Sequence, residues 1–429
     1  MQDQTIAQMA ANRVLPDPLV ALAGELDSDF STYNKDGAVI WILAGEPSAD
    51  AIGARLIQAL SERDPTLIFA GVGGTQMAAL GLRSLFPMAD LSVMGFWDVV
   101  FHYFHLRQRL FECVQDIILS HPEIVITIDH PVFSGKLMHR VSHMETRRVQ
   151  YVAPQVWAWG PKRIVNYRHR WDRLLCLLPC EVPWFLNAGV KTSFVGHPAL
   201  QSASGPAGKA CRFRHQHNIS DNAKILLLLP GSRKTEIKTL MPIYEKTVDL
   251  LTKEFPDLRP AILVGQNVKK MIERKSKHWK NKPVLVIGKM GKQDAFASCT
   301  CALTKSGTST IELAAHNIPM VVAHKVGPIF GMLARYFITV PYICMLNILA
   351  NAEIVPEFIQ GRCKPNLLAY TLSELLRNPA ERKKQLAFFP DILNELKPED
   401  PSKTPAGAAA DEILELLHTP IEQVEAERL

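Results

Sequence analysis

Four loops in this sequence carry side chains whose types and spacing suit acid–base chemistry and the holding of phosphate. The first is Gly45-Glu46-Pro47-Ser48-Ala49-Asp50. Glu46 offers a carboxylate and Ser48 a hydroxyl, while Ser48 or Asp50 can equally cap the helix that follows. The second, Asp129-His130-Pro131, ends an apolar run with an acid. Asp129 there is either a general base facing a cleft or a cap on the next helix. In the third, Pro230-Gly231-Ser232-Arg233, Gly231 allows close backbone approach to a ligand, Ser232 adds a hydroxyl, and Arg233 can bind phosphate through two parallel bonds. The fourth runs from Lys305 through Ser306, Gly307 and Thr308 to Glu312. Free N–H groups and hydroxyls at a helix start suit a diphosphate, and Glu312, one turn on, can accept from ribose hydroxyls. Capping of Thr308 or Ser309 by Glu312 is compatible with the same residues. None of these spacings matches the Gly-rich dinucleotide fingerprint or the Lys-Ser/Thr phosphate loop, and Gly71-Val72-Gly73-Gly74 also lacks the full pattern, so nicotinamide and ATP chemistry are disfavoured. The loops offer no Asp-x-Asp pair, and neither a metal nor a cofactor is expected.

Such loops need strands behind them. Ala38–Ala44, Leu67–Val72, Ile124–Ile128 and Val149–Val152 are short apolar runs, read as buried parallel strands. Helical periodicity follows the first at Ile52, Leu56, Ile57 and Leu60. Between Gln201 and Asn222 the apolar pattern lapses, marking a linker. The pattern restarts with strands at Ile225–Leu229, Ala261–Val264, Val284–Ile287, Cys301–Thr304 and Met320–Ala323, and with a helix over Thr235–Phe255 that starts near Glu236. Further helices span about Pro365–Leu396 and Ala406–Leu417. The fold class is α/β: two Rossmann-like, doubly wound domains facing a central cleft, with ligands beyond the carboxyl ends of the strands. Residues 1–37 read as a loose extension, 38–205 and 206–390 as the two domains. Residues 391–429 read as helices that pack back on the first domain or on a partner chain.

Length and composition agree with this plan. The 429 residues exceed one ordinary core, and 47% hydrophobic with 21% charged residues describes a chain that mostly folds. A net charge of +6 suits an anionic substrate. There is no aromatic–basic recognition motif, so no nucleic-acid partner is expected. Eight cysteines without paired metal spacing read as reduced thiols. No basic start precedes an apolar core at the N-terminus, and no run reaches the roughly 20 apolar residues of a membrane span. Membrane contact would be peripheral. Its candidate is Leu91–Phe104, crowded with Val93, Met94, Phe96 and Trp97 and followed by Arg107 and Arg109. An amphipathic lipid-facing helix and a core helix fit that stretch equally. The two Trp of Ala153-Pro154-Gln155-Val156-Trp157-Ala158-Trp159 read as packing rather than ligand contact.

Taken in order, the motifs resemble the lipid-A-disaccharide synthase family of Gram-negative bacteria. They are Gly45 to Asp50, Asp129-x-Pro131-x-Phe133, Pro154 to Trp159, Gly196-His197-Pro198, Leu229 to Arg233 with Glu236, Ser306 to Glu312, and Pro356-Glu357-Phe358-Ile359-Gln360. The resemblance runs from about Val39 to Gln360 and implies the GT-B glycosyltransferase fold. It also implies an inverting, metal-independent hexosyltransferase. A 2,3-diacylglucosamine moves from UDP-2,3-diacylglucosamine to the 6-hydroxyl of 2,3-diacylglucosamine 1-phosphate, forming a β-1,6 linkage. Within it, Asp129 would be the base, with Glu46 its runner-up or an acceptor-positioning group, beside Ser48. Gly231, Ser232, Arg233, Ser306, Gly307, Thr308, Glu312, Asn347, Glu357 and Gln360 would bind the UDP-sugar. Val93, Met94, Phe96 and Trp97 would meet acyl chains or a lipid surface. The implied place is cytoplasmic, at the inner face of the inner membrane, and the oligomeric state stays open, a homodimer included. An alternative is another UDP-N-acetylglucosamine enzyme of the same fold, an epimerase or transferase, or a non-catalytic lipid- or nucleotide-binding relative. The sequence departs from the family at Ala49, at Val132 and Ser134 (where an Asp and an Asn are usual), at Lys305 and at Leu346.

Overall fold

The computed structural model describes residues 37–91, 103–156, 161–203, 208–327, 341–426 and 428. The stretch with Val93, Met94, Phe96 and Trp97, the pair Trp157 and Trp159, and nearly all of the N-terminal extension lie outside the described residues.

The strands in chain order are β1 (Val39–Ala44), β2 (Ile68–Val72), β3 (Arg83–Ser84), β4 (Ile124–Ile128), β5 (Arg147–Tyr151), β6 (Arg173–Cys176), β7 (Thr192–Phe194), β8 (Ile225–Leu229), β9 (Arg259–Leu263), β10 (Val284–Val286), β11 (Cys301–Lys305), β12 (Met320–His324) and β13 (Glu357–Ile359). Among the described residues they form two sheets, ordered β3-β2-β1-β4-β5-β6-β7 and β10-β9-β8-β11-β12-β13. The pairing is parallel, as in β1 with β4 (Ile40 opposite Ile124) and β8 with β11 (Leu226 opposite Cys301). The central strands are apolar on both faces because helices cover both: every residue of β1, β4 and β8 is buried. In each sheet the strand order reverses beside the first strand, and the crevice at that reversal opens at the carboxyl ends of β1 and β4, or of β8 and β11.

The first sheet has a core on each face. One is built by β1, β4 and helix Pro47–Arg63 together with Ala406, Ala409, Ala410, Ile413 and Leu416 of helix Pro405–His418. The last long helix of the chain thus lies on the first sheet. Arg428 fastens its end by bonding both carboxylate oxygens of the buried Asp172 at 2.8 Å. The second sheet has its own pair of cores, one including Phe389 and Ile392 of helix Phe389–Glu395. A small cluster of Leu178, Ala199, Ile311 and Leu396 joins the two halves. Residues 365–395 divide into three helices, Pro365–Arg377, Pro379–Leu386 and Phe389–Glu395, each with a proline in its first turn. The helix after β8 spans Lys234–Glu254, two residues earlier than its apolar periodicity suggests.

Candidate active site

Glu46 and Arg233 meet across the two sheets. Glu46 follows β1 and Arg233 follows β8, and the guanidinium donates to Glu46 Oε1 at 3.3 Å. The loops after the first strand of each sheet therefore face one another. Helix Pro47–Arg63 starts with Glu46 as its N-cap, with no side-chain cap bond, and Pro47 at the first position has no N–H to satisfy. Neither Ser48 nor Asp50 caps it, contrary to the sequence expectation. Ser48 is exposed within the first turn, and Asp50 is buried. Asp50 caps a different element, accepting from Gly74, Gln76 and Met77 N–H at 2.8–3.1 Å at the start of helix Thr75–Ala78. Gly45 is required for a close approach: a Cβ there would lie 2.8 Å from the His130 ring.

That ring belongs to the loop after β4, where Asp129 and His130 both adopt left-handed backbone, at φ +56° and +55°. Two consecutive non-glycine residues in this region are uncommon, and a third, the β-branched Val152 at φ +76°, follows the neighbouring β5. The conformation is held from several sides. Gln150 Nε2 donates to the carbonyls of Asp129 (3.3 Å) and Val152 (3.1 Å), and Ser134 Oγ donates to the Asp129 carbonyl at 2.8 Å. Asp129 N–H donates to Tyr151 O. Asp129 does not cap helix Pro131–Arg140; among the described residues its carboxylate accepts only from the adjacent His130 N–H, at 2.8 Å, and the residue is half-buried. Gln150 and Val152 carry no signal in the sequence, since their part is played through bonds from the Gln150 side chain to backbone carbonyls of neighbouring strand ends. Ser134 is fully buried with its hydroxyl on Asp129, while Val132 is exposed.

On the other sheet, Gly231 has φ +112°, and a Cβ there would lie 2.2 Å from Glu236 Oε2. Glu236 accepts from the N–H groups of Ser232 and Arg233 at 3.1 and 3.2 Å and pairs with Lys305 Nζ at 3.0 Å. Ser306 donates its hydroxyl to Ile343 O at 2.6 Å, and Gly307 has φ +153°. The capping arrangement expected of Thr308 or Ser309 with Glu312 is absent. Helix Ser309–Ala315 has no side-chain cap, Thr310 bonds Gly307 O, and Glu312 pairs with Lys292 at 2.7 Å.

Asn347 and Glu357 lie deeper than the sequence suggests. Asn347 is fully buried: Nδ2 donates to Val355 O and Glu357 Oε1 (both 2.7 Å), and Oδ1 accepts from Ile354 and Val355 N–H (2.9 and 2.8 Å). Glu357 also accepts from Ile343 and Cys344 N–H at 2.9 Å, and burial raises its carboxyl above the ordinary range. Together they brace the segment whose Ile343 carbonyl holds Ser306. Gln360, at φ +49°, accepts from Val326 N–H at 3.2 Å.

The family model for lipid-A-disaccharide synthetase matches residues 40–409. The chain belongs to this family. A lipid-A-disaccharide synthase of Gluconobacter oxydans is 50% identical over 90% of this chain and 92% of its own length. Those of Granulibacter bethesdensis and Rhodospirillum centenum are 44% and 36% identical over 79% and 88% of this chain (86% and 94% of theirs). The chain is accordingly a glycosyltransferase that forms the lipid A disaccharide, and its substrates are a UDP-sugar and an acylated sugar phosphate. Among solved structures, the UDP-GlcNAc 2-epimerase of Neisseria meningitidis bound to UDP-GlcNAc has TM-score 0.56 at 13% identity, covering 89% of this chain and all of the other. A glycosyltransferase of kitacinnamycin gives 0.56 at 15%, covering 89% of this chain and 99% of the other. At such identities these likenesses establish the GT-B fold alone. Among the described residues no helix is long and apolar enough to cross a membrane.

Proposed function

We propose that this synthase transfers 2,3-diacylglucosamine from its UDP derivative to the 6-hydroxyl of 2,3-diacylglucosamine 1-phosphate, with inversion. The observation that carries the reading is the Glu46–Arg233 pair, which brings an acid of the first sheet and a phosphate-seeking cation of the second to one place. In this scheme the domain of residues 38–205 takes the acceptor and that of 206–390 takes the UDP-sugar. Asp129 removes the proton from the acceptor hydroxyl as that oxygen bonds the anomeric carbon. Its strained, pinned backbone supports the assignment, because fixed geometry favours one direction of attack. Glu46 orients the acceptor. The bond to UDP breaks in the same displacement, and its electron pair goes to the departing diphosphate. Arg233, the Ser232 hydroxyl beside Gly231, and the N–H groups around Ser306, Gly307 and Thr308 stabilise that charge. Glu312 binds ribose, and Gln360 borders the nucleotide. Asn347 and Glu357 act from behind, by shaping the segment that holds Ser306. The segment with Val93, Met94, Phe96 and Trp97 meets the acyl chains at a lipid surface of the cytoplasmic leaflet.

The test is UDP release from UDP-2,3-diacylglucosamine in detergent with excess EDTA, with and without acceptor. Acceptor-dependent release is expected. Release without acceptor would point to a hydrolase or an epimerase-like enzyme. Asp129→Asn is expected to lower turnover at least 100-fold, and wild-type turnover in that variant would remove Asp129 from the role.

A further inference from the structure

We propose that Lys305 contacts the nucleotide diphosphate directly and stabilises it as it leaves, with Glu236 holding its ammonium in position. This rests on the UDP site proposed above. Lys305 ends β11, beside β8, whose following loop carries Arg233. Its Nζ pairs with Glu236 Oε1 at 3.0 Å and is about a quarter exposed. The other oxygen of the same carboxylate accepts from Ser232 and Arg233 N–H. One side chain therefore ties the ammonium of Lys305 to the loop of Arg233. The ammonium also overhangs the next loop, since a Cβ built on Gly307 would lie 3.8 Å from Nζ. Two cations on neighbouring strand ends thus flank the turn at Gly307, where the missing side chain leaves the backbone approachable, while at Gly231 it makes room for the Glu236 carboxylate that holds both loops.

A second observation points to a ligand. His324, at the end of the adjacent β12, has a buried Nδ1 with no hydrogen-bond partner among the described residues. Burial first, and then the charge of Lys305, push its imidazole down to about 4. It is neutral at pH 7, so it adds a hydrogen-bonding group beside Lys305 without adding charge. The action of Lys305 is electrostatic. As the bond between anomeric carbon and diphosphate oxygen breaks, the oxygen keeps the electron pair and the ammonium keeps its protons.

Calorimetric binding of UDP and of uridine to wild type, Lys305→Met, Lys305→Arg and Arg233→Ala, with turnover of each, tests the assignment. Lys305→Met is expected to weaken UDP about 10- to 100-fold, leave uridine unchanged and lower kcat, while Lys305→Arg restores most of both. UDP binding as in wild type, or equal weakening of UDP and uridine, overturns the role of Lys305. If Arg233→Ala loses UDP while Lys305→Met does not, the site stands and Lys305 alone is excluded. If wild type binds UDP no better than uridine, the diphosphate site fails and Lys305 with it.

Discussion

Replacing Asn347 by alanine separates a residue that braces the site from one that touches the ligand. Its carboxamide makes four bonds of 2.7–2.9 Å inside the second sheet's core. Alanine strands Val355 N–H and C=O and removes one of the donors to Glu357. Each stranded buried group costs about 1–3 kcal/mol. With water reaching the half-buried Ile354 N–H, the sum is about 4 kcal/mol, a large part of the ~5–15 kcal/mol that holds a domain. Hydrogen exchange followed by mass spectrometry reads this locally. The amides of Ile343, Cys344, Ile354 and Val355 should exchange up to about a thousand-fold faster, at about 1.4 kcal/mol per factor of ten. The thermal midpoint should fall with them. UDP affinity should drop by less, through the loosened Ile343–Ser306 contact. The carboxyl of Glu357, losing a donor to its charged form, should titrate higher still. If exchange and melting matched wild type while UDP binding was lost, Asn347 would be a ligand contact, and the bracing argument would be wrong.

Other perturbations follow from the same geometry. Glu46→Gln breaks an ion pair open to solvent, worth about 0–1 kcal/mol, so melting should hardly move while turnover falls more than about 10-fold; a large loss of stability would contradict this. Trp41→Phe leaves Asp116 without the 2.7 Å indole donor in a buried place. Denaturant unfolding should show a loss of about 2 kcal/mol, and no change would mean that water replaces the donor. Burial pushes His197 down to about 4. A base lowered on folding contributes stability that is complete above about 6.5 and is lost as pH falls toward 4. The difference in melting temperature between pH 7.5 and pH 5 should therefore shrink in His197→Asn, and an unchanged difference would place the acid sensitivity elsewhere. Val93, Phe96 and Trp97 changed together to Ser should release the enzyme from anionic vesicles in a sedimentation assay, and retention would move the lipid surface to another part of the chain.

Most interior strands were legible because both of their faces are buried, which makes runs such as Val39–Ala44 and Ile225–Leu229 apolar throughout; the four-residue Arg173–Cys176, which opens on an arginine, was not. Of the four edge strands only Val284–Val286 was legible. Arg83–Ser84 is two exposed residues, Thr192–Phe194 is only half-buried, and Glu357–Ile359 begins on an acid that the fold buries. Nothing in those residues demands a strand until a neighbour supplies one. The site loops were visible because special residue types crowd the ends of apolar runs. What their side chains bond to was not. Asp50 looks like a cap for its own helix and serves another one 24 residues away. Glu236 reads as a helix-start residue, while its second oxygen reaches Lys305 on a different strand. Such partners are set by packing between elements, which local spacing does not encode.

The last helix carries a consequence for how the protein is made. Ala406, Ala409 and Ile413 fill the first sheet's core, yet they follow β7 by more than two hundred residues. A ribosome adding about 5–20 residues per second needs roughly 10–40 s to cover that distance. Throughout that interval the first sheet has emerged with one apolar face covered only in part, by helix Pro47–Arg63. A nascent first half should therefore be a chaperone client, and a transcript ending before codon 405 should yield a protein that aggregates even though both of its sheets are encoded.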